Sequence, residues 1–135
     1  MADHLDHAAR SRNMAKIHSE NTTPELAVRK RLHAAGYRFR LHRRNLPGKP
    51  DIVLPRHKMV VFVNGCFFHG HQNCRKFRLP KSNVSYWQAK IGRNIKRDAA
   101  NMKALTSAGW HVQVVWGCDV EGGIEALLVE LQRPK

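Results

Sequence analysis

The sequence predicts an α/β domain in which a central mixed β-sheet is flanked by helices. Two stretches carry apolar residues at helical spacing, and short apolar or alternating runs typical of strands lie between and after them. Helical and strand segments in this order favour a layered α/β arrangement. We expect residues 22–135 of the 135-residue chain to form one such domain, preceded by an arm at 1–21 that contains a short helix around 11–18.

The first element after the arm is a helix predicted over 22–35. Thr22 is a typical N-cap, and the Glu25 side chain is placed to reach back to the Thr22 amide. Gly36 is the usual left-handed residue that ends a helix. Residues 37–42 then alternate between apolar and basic side chains, which predicts a strand with one buried face.

The remaining elements are predicted from turn residues and apolar period. Prolines and glycines mark turns, short apolar runs mark strands, and Gly109 marks the end of a long helix. In chain order they are a turn at 45–50, strands at 51–54 and 59–63, an irregular segment at 65–82, a helix at 84–107, a strand at 110–116 and a helix at 123–132. The long helix carries an apolar stripe formed by Trp87, Ile91, Ile95, Met102 and Leu105.

The charge of the chain points to a polyanionic partner. Twenty-four Lys and Arg residues against ten acids give a formal net charge of +14, which is more than solubility requires. The basic residues are spread through predicted folded segments, which favours a basic surface over a disordered basic tail. Nucleic acid is the partner that this pattern favours, with a small ribosome-associated protein as the alternative.

Composition also disfavours membrane and secreted proteins. No apolar run is long enough to span a bilayer, and the first residues lack the basic and then apolar pattern of a signal peptide. We therefore expect a cytoplasmic protein. Three cysteines, an odd number, argue against a disulfide framework and favour a metal site or buried thiols.

The reactive side chains concentrate in one short, irregular segment. Cys66, His71 and Cys74 have the close spacing that zinc sites use. Cys118 follows a predicted strand and is placed to supply a fourth ligand. A small aperiodic segment also needs a cross-link to hold a shape. The sequence thus predicts a closed structural zinc site, with buried thiols as the alternative and His69 competing with His71 for the imidazole position.

Asp51 opens the first of two neighbouring predicted strands, a position in which many nucleases hold magnesium. Their usual second acid and lysine are missing from the next strand, which reads Val-Val-Phe-Val at 60–63. A backbone carbonyl at the end of that strand and phosphate oxygens are the groups left to complete a magnesium shell. His69 is then a candidate to activate the attacking water. The alternative is that Asp51, which follows a proline, only caps a turn.

Several sequence blocks are distinctive when taken together. The first two are Leu-Pro-Gly-Lys-Pro-Asp at 46–51 and Gly-Cys-Phe-Phe-His-Gly-His at 65–71. Within the long predicted helix lie Trp87, Lys90, Ile91 and Asn94, followed by Arg-Asp at 97–98. The last block begins with Gly-Trp at 109–110, continues to Val-Trp at 115–116 and ends at Cys118. With them the chain resembles the very short patch repair endonucleases, from about residue 12 to Cys118. Those enzymes nick DNA beside a T:G mismatch left by deamination of 5-methylcytosine.

The resemblance implies a restriction-endonuclease-like fold with two kinds of metal ion. Structural zinc would be held by four side chains: Cys66, His71, Cys74 and Cys118. Catalytic magnesium would be held by the Asp51 carboxylate and the backbone carbonyl of Val63. His69 would be the general base, and two further acids would orient it or a metal-bound water: Glu25 and Asp98.

The resemblance also implies how the enzyme meets DNA. Three aromatic rings would enter from the major-groove side and wedge beside the mismatch: Phe67, Phe68 and Trp87. Met14 and Ile17 of the arm would lie in the minor groove. Position 68 commonly holds tryptophan in the family, so phenylalanine there keeps the stacking with a smaller area.

Each of these roles has a structural alternative. The aromatic residues also fit a hydrophobic core, and Glu25 also fits a helix cap. Asp98 also fits an ion pair with Arg97 or Lys96. The histidines outside the site are expected to be surface or arm residues: His4, His7, His18, His33, His42, His57 and His111.

Taken with the resemblance, the sequence predicts a strand-specific, magnesium-dependent and zinc-stabilised endonuclease. It would nick double-stranded DNA on the 5′ side of the T in a T:G mismatch and so start very short patch repair. The alternatives are a zinc-stabilised DNA-binding module without catalysis and a structural RNA-associated protein. The resemblance further implies a functional link to a cytosine-5 methyltransferase and to mismatch-repair proteins. We expect a monomer that acts in the cytoplasm, at the nucleoid, without contacting a membrane.

Overall fold

The chain forms a four-stranded mixed sheet with helices on both faces. The computed structural model describes residues 22–72, 74–75 and 78–133. Its elements are α1 (Thr23–Ala34), β1 (Arg40–Leu41), β2 (Ile52–Leu54), a 3₁₀ helix (Pro55–His57), β3 (Met59–Asn64), α2 (Val84–Ser107), β4 (His111–Trp116) and α3 (Val120–Gln132). The strands lie in the order β1-β2-β3-β4; the first two pairings are antiparallel and β3–β4 is parallel. The predicted mixed α/β architecture is therefore confirmed.

Both faces of β2 and β3 are buried, which explains their continuous apolar sequence. Helices α1 and α3 cover one face with the strands in a cluster of Val28, Leu32, Ile52, Leu54, Met59, Val61, Val115, Ile124, Leu127 and Leu131. Helix α2 covers the opposite face through Leu105, which packs with Val53 and Val60. Successive residues of a strand point to opposite faces, so β2, β3 and β4 each contribute to both clusters.

The ends of the helices follow from the local sequence. The Thr22 hydroxyl accepts a hydrogen bond from the Glu25 N–H at 3.3 Å, as an N-cap does. Gly36 and Gly109 follow α1 and α2 with φ of 86° and 93°, the left-handed conformation that glycine adopts without steric cost. The predicted ends of these two helices are confirmed.

Several predicted boundaries and burials are wrong. The strand expected over 37–42 is reduced to β1, and Leu41 is 39% exposed because β1 lies at the edge of the sheet. Ile95 and Met102 of the apolar stripe are also exposed, whereas Ile91 and Leu105 are buried.

Helix α3 begins three residues earlier than the apolar period suggests. The Asp119 side chain accepts a hydrogen bond from the Gly122 N–H at 3.0 Å and caps the helix ahead of its two glycines. None of the three helices in the described ranges combines the length and apolar character that a membrane crossing requires. The predicted arm, with Met14 and Ile17, lies outside the described residues.

Candidate active site and metal centre

Asp51 lies directly before β2, beside the end of β3. Its Oδ2 accepts a hydrogen bond from the Val63 N–H at 2.7 Å, which ties the carboxylate to the neighbouring strand. Burial raises the pKa of Asp51 to about 6; the Val63 hydrogen bond opposes this, the charge of Glu25 adds to it, and His42 and His69 lower it. A buried acid surrounded by other titratable groups is typical of a functional site.

Glu25, in the first turn of α1, is a buried acid with an exposed fraction of 1%. Its side chain is directed toward Arg29 and His42 rather than back to the Thr22 amide, so the predicted capping box is only half formed. Oε2 forms an ion pair with the Arg29 guanidinium and lies 2.8 Å from Nε2 of His42. A carboxylate is buried at a large cost unless it is paired, and these two partners offset that cost.

His42 belongs to this site, and sequence reasoning missed it. It was expected at the surface, but it is half-buried, and its N–H donates to the Asp51 carbonyl at 3.0 Å. One ligand atom from each of Glu25, His42 and Asp51 lies within 4.8 Å of the others. The available signal was the turn at 45–50, which returns the chain so that positions 42 and 51 face each other across the β1–β2 hairpin.

His69 and Asp98 are brought together as the resemblance implies. His69 lies in the turn after β3, Asp98 lies in α2, and His69 Nδ1 is 2.6 Å from Asp98 Oδ2. A carboxylate only accepts hydrogen bonds, so Nδ1 carries the proton and Nε2 keeps its lone pair. Arg97, which was considered as a partner for Asp98, donates to Asn94 at 2.8 Å.

Close contact with α2 shapes the segment that carries His69. Asn94 donates to the Phe68 carbonyl at 2.9 Å. Gly70 has a φ of 57°, and a Cβ atom there would lie 2.5 Å from Ile95 Cδ1 and 2.9 Å from Ile91 Cγ2. The position therefore requires glycine both for its backbone conformation and for space.

Three thiols and one imidazole converge near the end of β4, and we call this group the sulfur cluster. The ligand atoms of Cys66, His71, Cys74 and Cys118 all lie within 4.8 Å of one another. In a tetrahedral zinc site with Zn–S bonds of about 2.3 Å, ligand atoms are roughly 3.8 Å apart, so this group fits a metal ion in donor type and spacing. Burial, together with hydrogen bonds of the Cys66 thiol to the side chains of Cys118 and Cys74, raises the pKa of Cys66 to about 11. A bound cation would offset this effect by stabilising the thiolate.

The geometry separates two histidines that spacing alone left ambiguous. His71 belongs to the sulfur cluster, and its Nδ1 lies 3.4 Å from Cys118 Sγ. Its ring stacks on Trp116 with centroids 3.9 Å apart and planes 8° from parallel. Trp116 also meets the His69 ring edge-on, with centroids 6.4 Å apart. One rigid ring therefore contacts both the sulfur cluster and the His69–Asp98 pair.

The three predicted wedge residues form one aromatic cluster. The Phe67 ring lies 5.1 Å from Phe68 and 5.3 Å from Trp87, and Phe68 lies 6.4 Å from Trp87. All three are half-buried, and both phenylalanines lie in a turn rather than in a strand. Tyr86, which is 55% exposed, extends the cluster from Trp87 at 5.1 Å. The Lys90 ammonium lies 5.6 Å from the centroid of Trp87, so this aromatic surface has a basic border.

Known proteins resemble the chain over most of its length. Residues 2–76 match the family described as DNA mismatch endonuclease Vsr. The chain is 49% identical to Type II nicking enzyme V.XorIIP of Xanthomonas oryzae pv. oryzae, with 99% of each chain aligned. It is 46% identical to Type II nicking enzyme V.NmeAIP of Neisseria meningitidis, over 90% of this chain and 86% of that protein. It is 38% identical to DNA mismatch endonuclease Vsr of Escherichia coli, over 90% of this chain and 78% of that protein.

Proposed function

The chain belongs to the Vsr family of DNA mismatch endonucleases, and on that premise we propose that it nicks one strand of duplex DNA on the 5′ side of the T in a T:G mismatch. Such mismatches arise when 5-methylcytosine is deaminated, and the nick would start very short patch repair. The observation that carries the proposal is the 2.6 Å contact between His69 and Asp98, with His69 near enough to Asp51 for its charge to lower the pKa of that acid. The name "nicking enzyme" borne by two relatives supports a cut in one strand.

The His69–Asp98 pair supplies the proton transfer that hydrolysis needs. A water molecule must lose a proton as its oxygen bonds to phosphorus and the bond to the leaving oxygen breaks. His69 Nε2 accepts that proton, because Nδ1 already donates to Asp98. Asp98 then stabilises the imidazolium, as the acid does in other acid–histidine pairs.

The acids Asp51 and Glu25 favour a binding site for a divalent cation. Asp51 and the Val63 carbonyl would hold Mg²⁺, with Glu25 orienting a water in its shell; oxygen donors are those that magnesium prefers. The Val63 N–H that donates to Asp51 keeps the carboxylate at the end of β3. When bound, the ion stabilises the negative charge that develops on the phosphate.

We further propose that the sulfur cluster holds structural zinc in a restriction-endonuclease-like fold. Three thiols and one imidazole are a common zinc ligand set. Four protein ligands leave no open position for a catalytic water, so this ion would shape the loop rather than take part in the reaction.

The aromatic cluster is suited to open the base stack. Rings that wedge between base steps recur in proteins that kink DNA. Phe67, Phe68 and Trp87 lie together, and the two phenylalanines directly precede His69 in the sequence. A 2-aminopurine base placed beside the mismatch should brighten when the protein binds, because unstacking relieves its quenching. Equal brightening with Phe67→Ala would argue against the wedge.

The remaining features of the mechanism stay predictions. A net charge of +14 supports binding to duplex DNA. The minor-groove contacts of Met14 and Ile17, monomeric action at the nucleoid, and a link to a cytosine-5 methyltransferase and mismatch-repair proteins are inferred from family resemblance.

The central test is a nicking assay on duplexes that differ only in one base pair, T:G or T:A, with and without Mg²⁺. We expect wild type to nick only the T:G duplex with Mg²⁺. Asp51→Asn and His69→Gln should each lose about 10²-fold or more of the nicking rate. His33→Gln, a change at an exposed histidine of α1, should leave the rate unchanged.

Binding and folding must be measured on the same samples. Circular dichroism should show that all variants fold, and both site variants should still bind the T:G duplex. Full activity of either variant would contradict the proposed roles. Tight, salt-sensitive binding of wild type without nicking at any mismatch would instead favour a DNA-binding module.

A further inference from the structure

His42 and Asp51 lie opposite each other just beyond the paired residues of β1 and β2. Leu41 pairs with Ile52, and the next step of the ladder joins the His42 N–H to the Asp51 carbonyl at 3.0 Å. His42 has a φ of 47°, in a left-handed region where histidine is several-fold enriched over most residues.

The ring of His42 is directed at the two acids of the candidate cation site, Glu25 and Asp51. Its Nε2 lies 2.8 Å from Glu25 Oε2. The ligand atoms of Glu25, His42 and Asp51 lie within 4.8 Å of one another, close to the largest separation, about 4.4 Å, of two atoms that share one ion with bonds of about 2.2 Å. Three separate parts of the chain supply these atoms, so the grouping is a product of the fold rather than of sequence proximity.

Arg29 is the competing cation at this place. Its guanidinium pairs with Glu25, and its Nη2 lies 3.4 Å from His42 Nε2. A carboxylate only accepts hydrogen bonds, so His42 Nε2 carries the proton that it donates to Glu25. A cation bound through this nitrogen would displace that proton, since metal-ligating histidine is neutral. The alternative function is that His42 only holds Glu25 by this hydrogen bond. The two functions differ in what they imply for metal choice.

We propose that His42 supplies a nitrogen ligand to the divalent cation that Asp51 would hold, beside Glu25. This inference rests on the proposed function, since it adds a ligand to the nuclease's own cation. Mg²⁺ favours shells made of oxygen, whereas first-row transition ions gain from imidazole. The site should therefore bind Mn²⁺ more tightly than Mg²⁺, although both ions fit the carboxylates.

The experiment measures the metal directly in the full-length protein with its sulfur cluster loaded with zinc. Electron spin-echo envelope modulation of bound Mn²⁺ detects a directly coordinated nitrogen. We expect this modulation in wild type and its loss in His42→Gln, which keeps a side-chain oxygen and an N–H donor. His111→Gln is the matched control, because His111 also faces a glutamate, Glu130, at 3.5 Å but lies on β4. That variant should keep the signal.

Calorimetric titration with Mn²⁺ and with Mg²⁺ supplies the second readout. His42→Gln should reduce the preference for Mn²⁺ over Mg²⁺ by about 10-fold or more, a typical scale for lost ligand support. No nitrogen modulation in wild type, or modulation and metal preference that persist in His42→Gln, would overturn the proposal and leave His42 as a residue that positions Glu25. Nicking is scored separately: a protein that shows the nitrogen signal but cuts no T:G duplex would refute the proposed function and not the ligand.

Discussion

The surroundings of Asp51 disfavour the charged form of its carboxyl group. Burial raises its pKa from 3.8 to about 6, so between these values the folded protein binds a proton that the unfolded chain has released. The stability contributed by this group therefore falls as the pH rises through that window and stays lost above it. At about 1.36 kcal/mol per pKa unit, the loss is at most roughly 3 kcal/mol. At neutral pH the charged Asp51 carboxylate is therefore suited to bind a cation, and it does not stabilise the folded state.

Asp51→Asn should consequently be more stable than wild type at neutral pH. The neutral amide does not incur the cost of a buried charge, so we expect a gain of up to about 3 kcal/mol at about pH 7.5 that shrinks toward pH 4. Urea unfolding of both proteins, in buffer without added magnesium, measures this difference. A stability difference that does not change with pH would contradict the assigned cause.

Single residues show where sequence reasoning succeeds and where it stops. Asp51, His69 and Asp98 were predicted because their blocks resemble a family. The structure places His69 beside Asp98 and within charge interaction of Asp51, and their catalytic roles stay predictions. His42 was missed because the alternating pattern of 37–42 assigned its side chain to the exposed, basic face of a strand. A left-handed backbone at position 42 and its pairing with Asp51 depend on the fold of the hairpin, which a local pattern does not reveal.

Among the elements, the turn after β3 depends on one glycine. Gly70→Ala would place a methyl group 2.5 Å from Ile95 and would strain a φ of 57°. We expect a loss of about 2–4 kcal/mol, as the sum of the conformational cost and overpacking. Nicking should fall as well, because the same turn carries His69.

Gly36→Ala is the matched control for that change. Gly36 also has a positive φ, of 86°, but no atom lies within 4 Å of its missing Cβ. This variant should show only the conformational cost, about 1 kcal/mol, with nicking unchanged. Thermal melting of the two variants therefore separates backbone strain from the clash with α2; equal losses in both would show that the clash is absent.

The edge strand β1 was harder to predict than the ends of α1 and α2 for a physical reason. A helix is closed by its own residues, such as the Thr22 hydroxyl and the left-handed Gly109. A strand is defined by its neighbour, and β1 pairs over only two residues. The alternating run at 37–42 consequently overestimated a strand that has a partner on one side only.

At the scale of the whole molecule, the sulfur cluster joins distant parts of the chain. Cys118 follows β4, whereas its three partners follow β3. Removing the ion should therefore loosen the segment that bears both the aromatic cluster and His69. We expect chelation to lower the melting temperature by about 10 °C or more, which corresponds to roughly 3 kcal/mol for a protein of this size.

Three measurements check this expectation. Metal analysis should give about one equivalent of zinc, and Cys118→Ser should reproduce the loss of stability seen on chelation. Tryptophan fluorescence should change on chelation, because Trp116 stacks on the ligand His71. Less than one equivalent of metal, with melting unchanged by a chelator, would remove the structural zinc site.

The wide separation in sequence between Glu25, Asp51, His69 and Asp98 has a consequence for the cell that makes this enzyme. No short stretch of the chain holds all of the proposed catalytic residues, so on this proposal a nascent or partly unfolded chain has no competent site. Uncontrolled DNA cleavage by a nuclease would damage the genome of the cell. On this proposal the chain cleaves DNA only when it is completely folded. Misfolded copies are expected to be inert rather than promiscuous, which makes cooperative folding itself a safeguard for the chromosome.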